Sequence, residues 1–243
     1  METIFSKPYV AGCFAWSGFD YRGEPCPYGW PSVISHWGFS DDCGFLKDIA
    51  YLLAAWYRDE LVVHLLPHWN WEKNDNVRVC AYTNGDTAEL FLNGKSFGEK
   101  EVKRKRAEWM VPFEKGTISV LVKRGTEEAY SVVHTSGKAA KIILENVTPD
   151  HQDKTSQIIN LCVVDEEGVI VPDFSDTVNF VLNGGEILGI GNGDPNDHHS
   201  EKASSIRVFN GRAQIIVTGN TKELSVNCNG LTDAVIKLQE AGI

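Results

Sequence analysis

The chain has 243 residues, 42% of them hydrophobic and 23% charged, and a formal net charge of −10. That length supports one large core or two ordinary ones, and the acidic balance disfavours a general nucleic-acid or anionic-membrane role. No apolar run approaches the ~20 residues a spanning helix needs, and residues 1–10 lack the apolar centre of a signal peptide.

Residues 1 to about 57 read as a short helix end, a strand, a long loop and a helix. The apolar run Cys13-Phe14-Ala15-Trp16 is the strand. The loop after it crowds Trp16, Tyr21, Tyr28 and Trp30 beside Asp20, Arg22 and Glu24. A buried strand that releases aromatic and charged side chains at its C-terminal end is how barrel enzymes build a pocket. Sugars suit such a pocket, because an aromatic face packs on their C–H surface while carboxylates and guanidinium bind their hydroxyls. Phe45, Ile49, Leu52, Leu53 and Trp56 then recur at helical spacing, with Asp42 ahead of them as N-cap.

From about residue 60 the character changes. Asn-Gly pairs stand at 84–85, 93–94, 183–184, 192–193, 210–211 and 229–230. Such pairs tolerate the positive φ of hairpin turns, and most lie between short alternating runs. Those runs include 77–82, 88–92, 118–122, 131–134, 159–163, 178–182, 206–209, 213–217 and 224–228, a spacing that points to β-sandwiches. The basic cluster at 100–106 reads as a solvated hairpin edge. A boundary falls near Ser136-Gly137-Lys138, with a new strand series opening at 141–144.

Several groups invite a chemical reading. The six cysteines show no metal-type pairing such as C-x-x-C. Cys162 and Cys228 are spaced like an inter-sheet disulfide, yet strand phase puts Cys162 opposite Ile159, Leu161 and Val163, while Cys228 points inward with Leu224 and Val226. All six therefore read as free thiols. His64, His68, Trp69 and Trp71 fit a sugar platform, part of a metal site or, most commonly for such a patch, a domain contact; Trp69 and Trp71, two apart, are expected to share a face. Residues 194–201 carry oxygen and imidazole groups, but match no EF-hand or zinc spacing and read as turns. Gly189-Ile190-Gly191-Asn192-Gly193 is followed by no helix and so is no phosphate loop.

The run Gly12-Cys13-Phe14-Ala15-Trp16-Ser17-Gly18-Phe19-Asp20-Tyr21-Arg22-Gly23-Glu24-Pro25 resembles the eighth barrel strand of glycoside hydrolase family 2, in its β-galactosidase branch. The likeness continues through Pro27-Tyr28-Gly29-Trp30-Pro31-Ser32, Ser35-His36-Trp37-Gly38 and Cys43-Gly44-Phe45-Leu46-Lys47-Asp48. Val63-His64-Leu65-Leu66-Pro67-His68-Trp69-Asn70-Trp71, Tyr82-Thr83-Asn84 and Glu89-Leu90-Phe91-Leu92-Asn93-Gly94-Lys95-Ser96 resemble the domain that follows the barrel. Val164-Asp165-Glu166-Glu167-Gly168 and Gly191-Asn192-Gly193-Asp194-Pro195 resemble the family's C-terminal module. Leu46 stands where the family often has proline, and Ser40-Asp41-Asp42 replaces a more apolar run.

The resemblance implies a mainly β protein: two immunoglobulin-like β-sandwiches, 60–136 and 138–243, preceded by a remnant β/α unit of a TIM barrel, 1–57. In the intact parent it implies retaining hydrolysis of terminal β-galactosides through a covalent glycosyl-enzyme, with β-glucuronidase or β-mannosidase activity open. The family's two catalytic glutamates lie at the ends of the fourth and seventh strands, ahead of the eighth. This chain is thus expected to hold no catalytic residue, cofactor or metal site and to be inactive alone. Trp16 matches a tryptophan of the sugar-binding floor; Asp20, Tyr21, Arg22 and Glu24 line the rim or form an internal salt-bridged loop. The expected partner is a β-galactoside or related oligosaccharide, with no nucleic acid and no membrane. The orphaned unit 1–57 either packs on the first sandwich through Trp56 and residues 61–66 or makes a homodimer with a second copy. A bacterial parent would be periplasmic or secreted. The competing readings are a carbohydrate-binding module, with Trp69 and Trp71 exposed and coplanar, and a structural or adhesion-like pair of sandwiches with those rings buried.

Overall fold

The computed structural model describes residues 1–73, 75–149 and 155–238. They form two compact units, one of residues 1–20, 37–41 and 46–135, the other of residues 21–36, 42–45 and 136–243.

In the first unit, α1 (Glu2–Ser6) and α2 (Asp48–Tyr57) precede β1 (Val63–Leu66), β2 (Asn76–Thr83), β3 (Thr87–Leu92), β4 (Lys95–Glu101), β5 (Arg106–Pro112), β6 (Thr117–Arg124) and β7 (Glu127–His134). They pair antiparallel as two sheets, β1-β2-β5 and β4-β3-β6-β7. Alternation decides which side chains face inward. Val77, Val79, Ala81, Ala107, Trp109 and Val111 from one sheet meet Ala88, Leu90, Leu92, Ile118, Val120 and Val122 from the other in a single core. Burying a valine or leucine in this way contributes about 1.5–3 kcal/mol. The outer face of β1–β2 carries α2: Tyr51 stacks on His64 with ring centroids 3.8 Å apart, and Asp48 Oδ1 lies 2.7 Å from His64 Nε2. Cys80, on that same face of β2, is buried, and burial pushes its thiol pKa up to about 12.

Three expectations are corrected here. Residues 10–16 form no strand. A strand persists only where a ladder satisfies its backbone and neighbours cover its side chains; no strand of the unit pairs with this segment, and Phe14 and Trp16 are exposed. The strand of the expected β/α unit is therefore not shown. The helix begins at Asp48 rather than Phe45, and Lys47, not Asp42, takes the N-cap position. Gly44, at φ +85°, is in the left-handed region and interrupts any helix through it. Trp69 and Trp71 do not share a face. Residues 67–71 are not a strand, so alternation does not apply: Trp69 is fully buried and its indole N–H donates to Glu114 O at 2.9 Å, whereas Trp71 is exposed and stacks on His68. The basic cluster is largely exposed, at the end of the edge strand β4 and in the turn closed by the Lys103–Arg106 bridge, as a solvated hairpin edge should be. It turns through Arg104 (φ 53°) and Lys105 (φ 62°) to carry the chain from β4 to β5, which belongs to the other sheet.

The second unit contains β8 (Lys141–Asn146), β9 (Ser156–Val164), β10 (Thr177–Asn183), β11 (Ile187–Gly191), β12 (Ser205–Arg207), β13 (Arg212–Thr218), β14 (Glu223–Asn227) and β15 (Ala234–Lys237). Its sheets are β12-β10-β14-β15 and β11-β13-β9-β8, again antiparallel. Ile159, Leu161, Val163, Ile215 and Val217 face Val178, Phe180, Leu224 and Val226 in one core. Cys228 belongs to that core, while Cys162 is half-buried on the opposite face of β9, as strand phase predicts. Asn93 and Gly94, at φ 50° and 80°, make the tight β3–β4 hairpin. Asn210 and Gly211 adopt similar angles, but join β12 to β13 across the two sheets.

Candidate functional site

The candidate residues divide between the units: Trp16 and Asp20 in the first, Tyr21, Arg22 and Glu24 in the second. In the first unit, Trp16 is 76% exposed and stands at the head of a braced turn. Ser17 O and Gly18 O accept from the backbone N–H of Phe39 and Ser40, and Asp20 N–H donates to Ser40 O, each at 3.0 Å. Asp20 is only 8% exposed. Its Oδ1 accepts from Gly38 N at 2.7 Å and its Oδ2 from Lys47 Nζ at 2.7 Å. A Cβ at Gly38 would lie 2.3 Å from Asp20 N, so the two backbones approach this closely only because position 38 is glycine. Asp20 is thus a brace beneath the turn that presents the indole. Neither Gly38 nor Lys47 was singled out in the sequence; both lie in the motif run, but no local signal ties them to Asp20.

In the second unit, residues 21–36 fold back as a small hairpin. Arg22 bridges Ile34, Gly23 N–H donates to Val33 O at 3.0 Å, and Ser35 N–H donates to Tyr21 O at 2.8 Å. The Tyr21 hydroxyl donates to Glu24 Oε2. Tyr28 meets the His36 ring at 4.5 Å, and both Tyr28 and Trp30 are largely exposed. Arg22 Nε donates to Glu201 Oε1 at 2.8 Å. The charges of this segment are therefore engaged: Arg22 with Glu201, Glu24 with Tyr21, and, in the first unit, Asp20 with Lys47. Asp20 and Glu24, the two carboxyl groups of the motif, have separate partners.

The 194–201 run makes turns, as its composition predicts. Asp194 Oδ1 accepts from Asn196 N at 2.9 Å and its Oδ2 from Arg207 Nη2 at 3.0 Å. Burial works against ionising Asp197, but hydrogen bonds from the His199 backbone and ring hold its carboxyl below the usual range. A cavity of about 30 Å³, lined by residues including Arg22, Ile34, Asn192, Asp194 and Glu201, lies between this run and the hairpin. A wider groove of about 320 Å³ in the first unit is lined by Pro67, Trp71, Asp75, Asn76, Val77 and Arg78. It offers one indole rather than the coplanar pair a carbohydrate-binding module would need, because Trp69 is buried.

Comparison with known proteins bears on both units. Residues 141–237 match the Glycoside hydrolase family 2 C-terminal domain 5, and residues 74–129 match a domain of unknown function, DUF4982. The chain is 36% identical to Beta-galactosidase BoGH2A of Bacteroides ovatus, over 98% of this chain and 29% of that protein. It is 29% identical to a putative beta-glucuronidase of Formosa agariphila, over 86% of this chain and 21% of that one. Among solved structures, a beta-glycosidase from Bacteroides vulgatus superposes with a TM-score of 0.89 at 25% identity, over 98% of this chain and 32% of that one. The chain thus spans less than a third of the length of these relatives.

Proposed function

The chain belongs to glycoside hydrolase family 2 and carries that family's C-terminal domain, and from this premise we propose that it supplies the tryptophan side of a glycosidase pocket. In the intact protein, that pocket hydrolyses terminal β-galactosides with retention. Trp16 is the floor against which the sugar packs, Tyr21, Arg22 and Glu24 form the rim, and Asp20 holds the turn beneath. The sandwiches over about 60–136 and 138–243 are the scaffold. The observation that carries the reading is the exposed Trp16 indole set on a turn fixed by the buried Asp20. An indole face presented on rigid backbone is what sugar stacking requires.

The relatives' names divide between galactoside and glucuronide. The galactoside is chosen because the chain is 36% identical to the beta-galactosidase and 29% identical to the putative beta-glucuronidase. In the intact protein, Trp16→Ala is expected to lower kcat/KM on an aryl β-galactoside roughly 10- to 100-fold, the loss of an interaction worth about 1–3 kcal/mol. Circular dichroism should remain that of the parent. Unchanged kinetics would return Trp16 to a packing role, and preference for an aryl β-glucuronide would overturn the choice of sugar.

A further inference from the structure

The hairpin carrying Tyr21, Arg22 and Glu24 is tied to the turn between β11 and β12, far away in sequence. Arg22 Nε–H donates to Glu201 Oε1 at 2.8 Å, and Val33 N–H donates to Pro195 O at 2.9 Å. His198 Nε2–H donates to Pro31 O at 2.6 Å, and its ring meets Trp30 edge-on at 4.3 Å. The turn offering these contacts is itself stiff. Asn192 Oδ1 accepts from Asp194 N, Asn192 Nδ2 donates to Asp197 Oδ2 and Arg207 O, and Asp197 Oδ1 accepts from His199 N. Residues 42–45 are fastened to the adjoining sheet as well: Gln214 Nε2 donates to Cys43 O at 2.8 Å, and the Arg212 guanidinium lies 5.4 Å from the centre of the Phe45 ring.

The energetics say what these contacts are for. Arg22 and Glu201 keep about half of their side-chain surface in water (47% and 60%), and exposed ion pairs contribute little to global stability. Two of the remaining contacts are to backbone atoms, at Pro31 O and Val33 N, which fixes the position of a main chain rather than filling a core. We infer that the 192–201 turn of the C-terminal sandwich sets the position of the 21–36 hairpin, with His198 and Glu201 as its positioning residues. Resting on the reading of that hairpin as a pocket rim, the C-terminal sandwich then governs how the rim meets the sugar.

The test is the His198→Ala/Glu201→Gln double variant of the 243-residue chain, followed by amide hydrogen exchange. The Val33 amide, whose acceptor is Pro195 O, should exchange roughly tenfold or more faster, while β9 and β13 amides keep their protection. Unchanged exchange at Val33 overturns the inference. The single Glu201→Gln variant, with a smaller acceleration, guards against any misfolding of the double variant. In the intact enzyme the same double variant should raise KM several-fold with kcat nearly unchanged. Faster exchange with unmoved KM upholds the positioning and removes the hairpin from the rim. Unmoved exchange with a strong Trp16→Ala effect does the reverse.

Discussion

Asp165 closes a turn in the second unit with a carboxylate that serves three backbone donors. Its Oδ2 accepts from Gly137 N at 2.7 Å, and its Oδ1 accepts from Glu167 N at 3.0 Å and Val169 N at 2.8 Å. The Gly137 bond is the leading reason its pKa lies below the usual carboxylate range, against the opposing effect of burial. The sign follows: a folded-state pKa below the unfolded value of about 3.9 means the contribution is whole above that pH and is lost as pH falls through the folded value. Asp165→Ala leaves three N–H groups without their acceptor and is expected to cost about 1–3 kcal/mol at neutral pH, read from the urea midpoint. Asp165→Asn should cost less and flatten the dependence of stability on pH below about 4. If the wild type and the alanine variant lose stability in parallel on acidification, Asp165 is not the group responsible.

Two turns of the same sequence type differ in what surrounds them. Gly94 and Gly211 both hold positive φ, 80° and 70°. A Cβ at Gly94 would meet nothing within 4 Å, whereas one at Gly211 would lie 2.5 Å from Val171 O and 3.2 Å from Ile170 Cγ2. Gly94→Ala should therefore cost only the backbone strain, about 1 kcal/mol. Gly211→Ala must also move backbone, disturbing the 2.8 Å bond from Val163 N to Gly211 O, and should cost upwards of about 2 kcal/mol. Equal costs in denaturant titrations would sink the distinction. The same pair marks how far the sequence could be read. An Asn-Gly dipeptide announces positive φ, but not whether the next strand joins the same sheet, as at 93–94, or the other, as at 210–211. The strands themselves were legible because alternation in runs such as Leu90 to Leu92 and Ile118 to Val122 is local. Trp69 and Trp71 were misread because two residues apart implies one face only inside a strand. The segment 13–16 was misread because apolar character does not provide a ladder. At the candidate site, Trp16 and its charged neighbours were visible as a motif. The roles of Gly38, Lys47, His198 and Glu201 were not, since their contacts depend on chain reversal and on residues nearly two hundred positions away.

On the proposed reading the candidate segment contributes to a pocket, and the carboxyl groups it offers there are already engaged. Retaining glycoside hydrolysis needs two carboxyl groups about 5 Å apart, one to attack and one to shuttle the proton. The candidate segment offers two, and each is committed elsewhere. Asp20 is buried, with both oxygens held by Gly38 and Lys47, and Glu24 accepts the Tyr21 hydroxyl. A carboxylate engaged by an ammonium and a backbone N–H is poised neither to attack an anomeric carbon nor to donate a proton. Exposed indoles such as Trp16 and Trp30 can pack on a sugar, but stacking alone breaks no bond. The purified 243-residue chain is accordingly expected to release no nitrophenol from p-nitrophenyl β-galactoside above the buffer rate, at any pH from 4 to 9 on the order of a day's incubation. The informative control is Glu24→Gln. A turnover that this substitution abolishes would make Glu24 a nucleophile or acid in its own right, and the division between a catalytic region and the scaffold described above would have to be redrawn around the 21–36 hairpin.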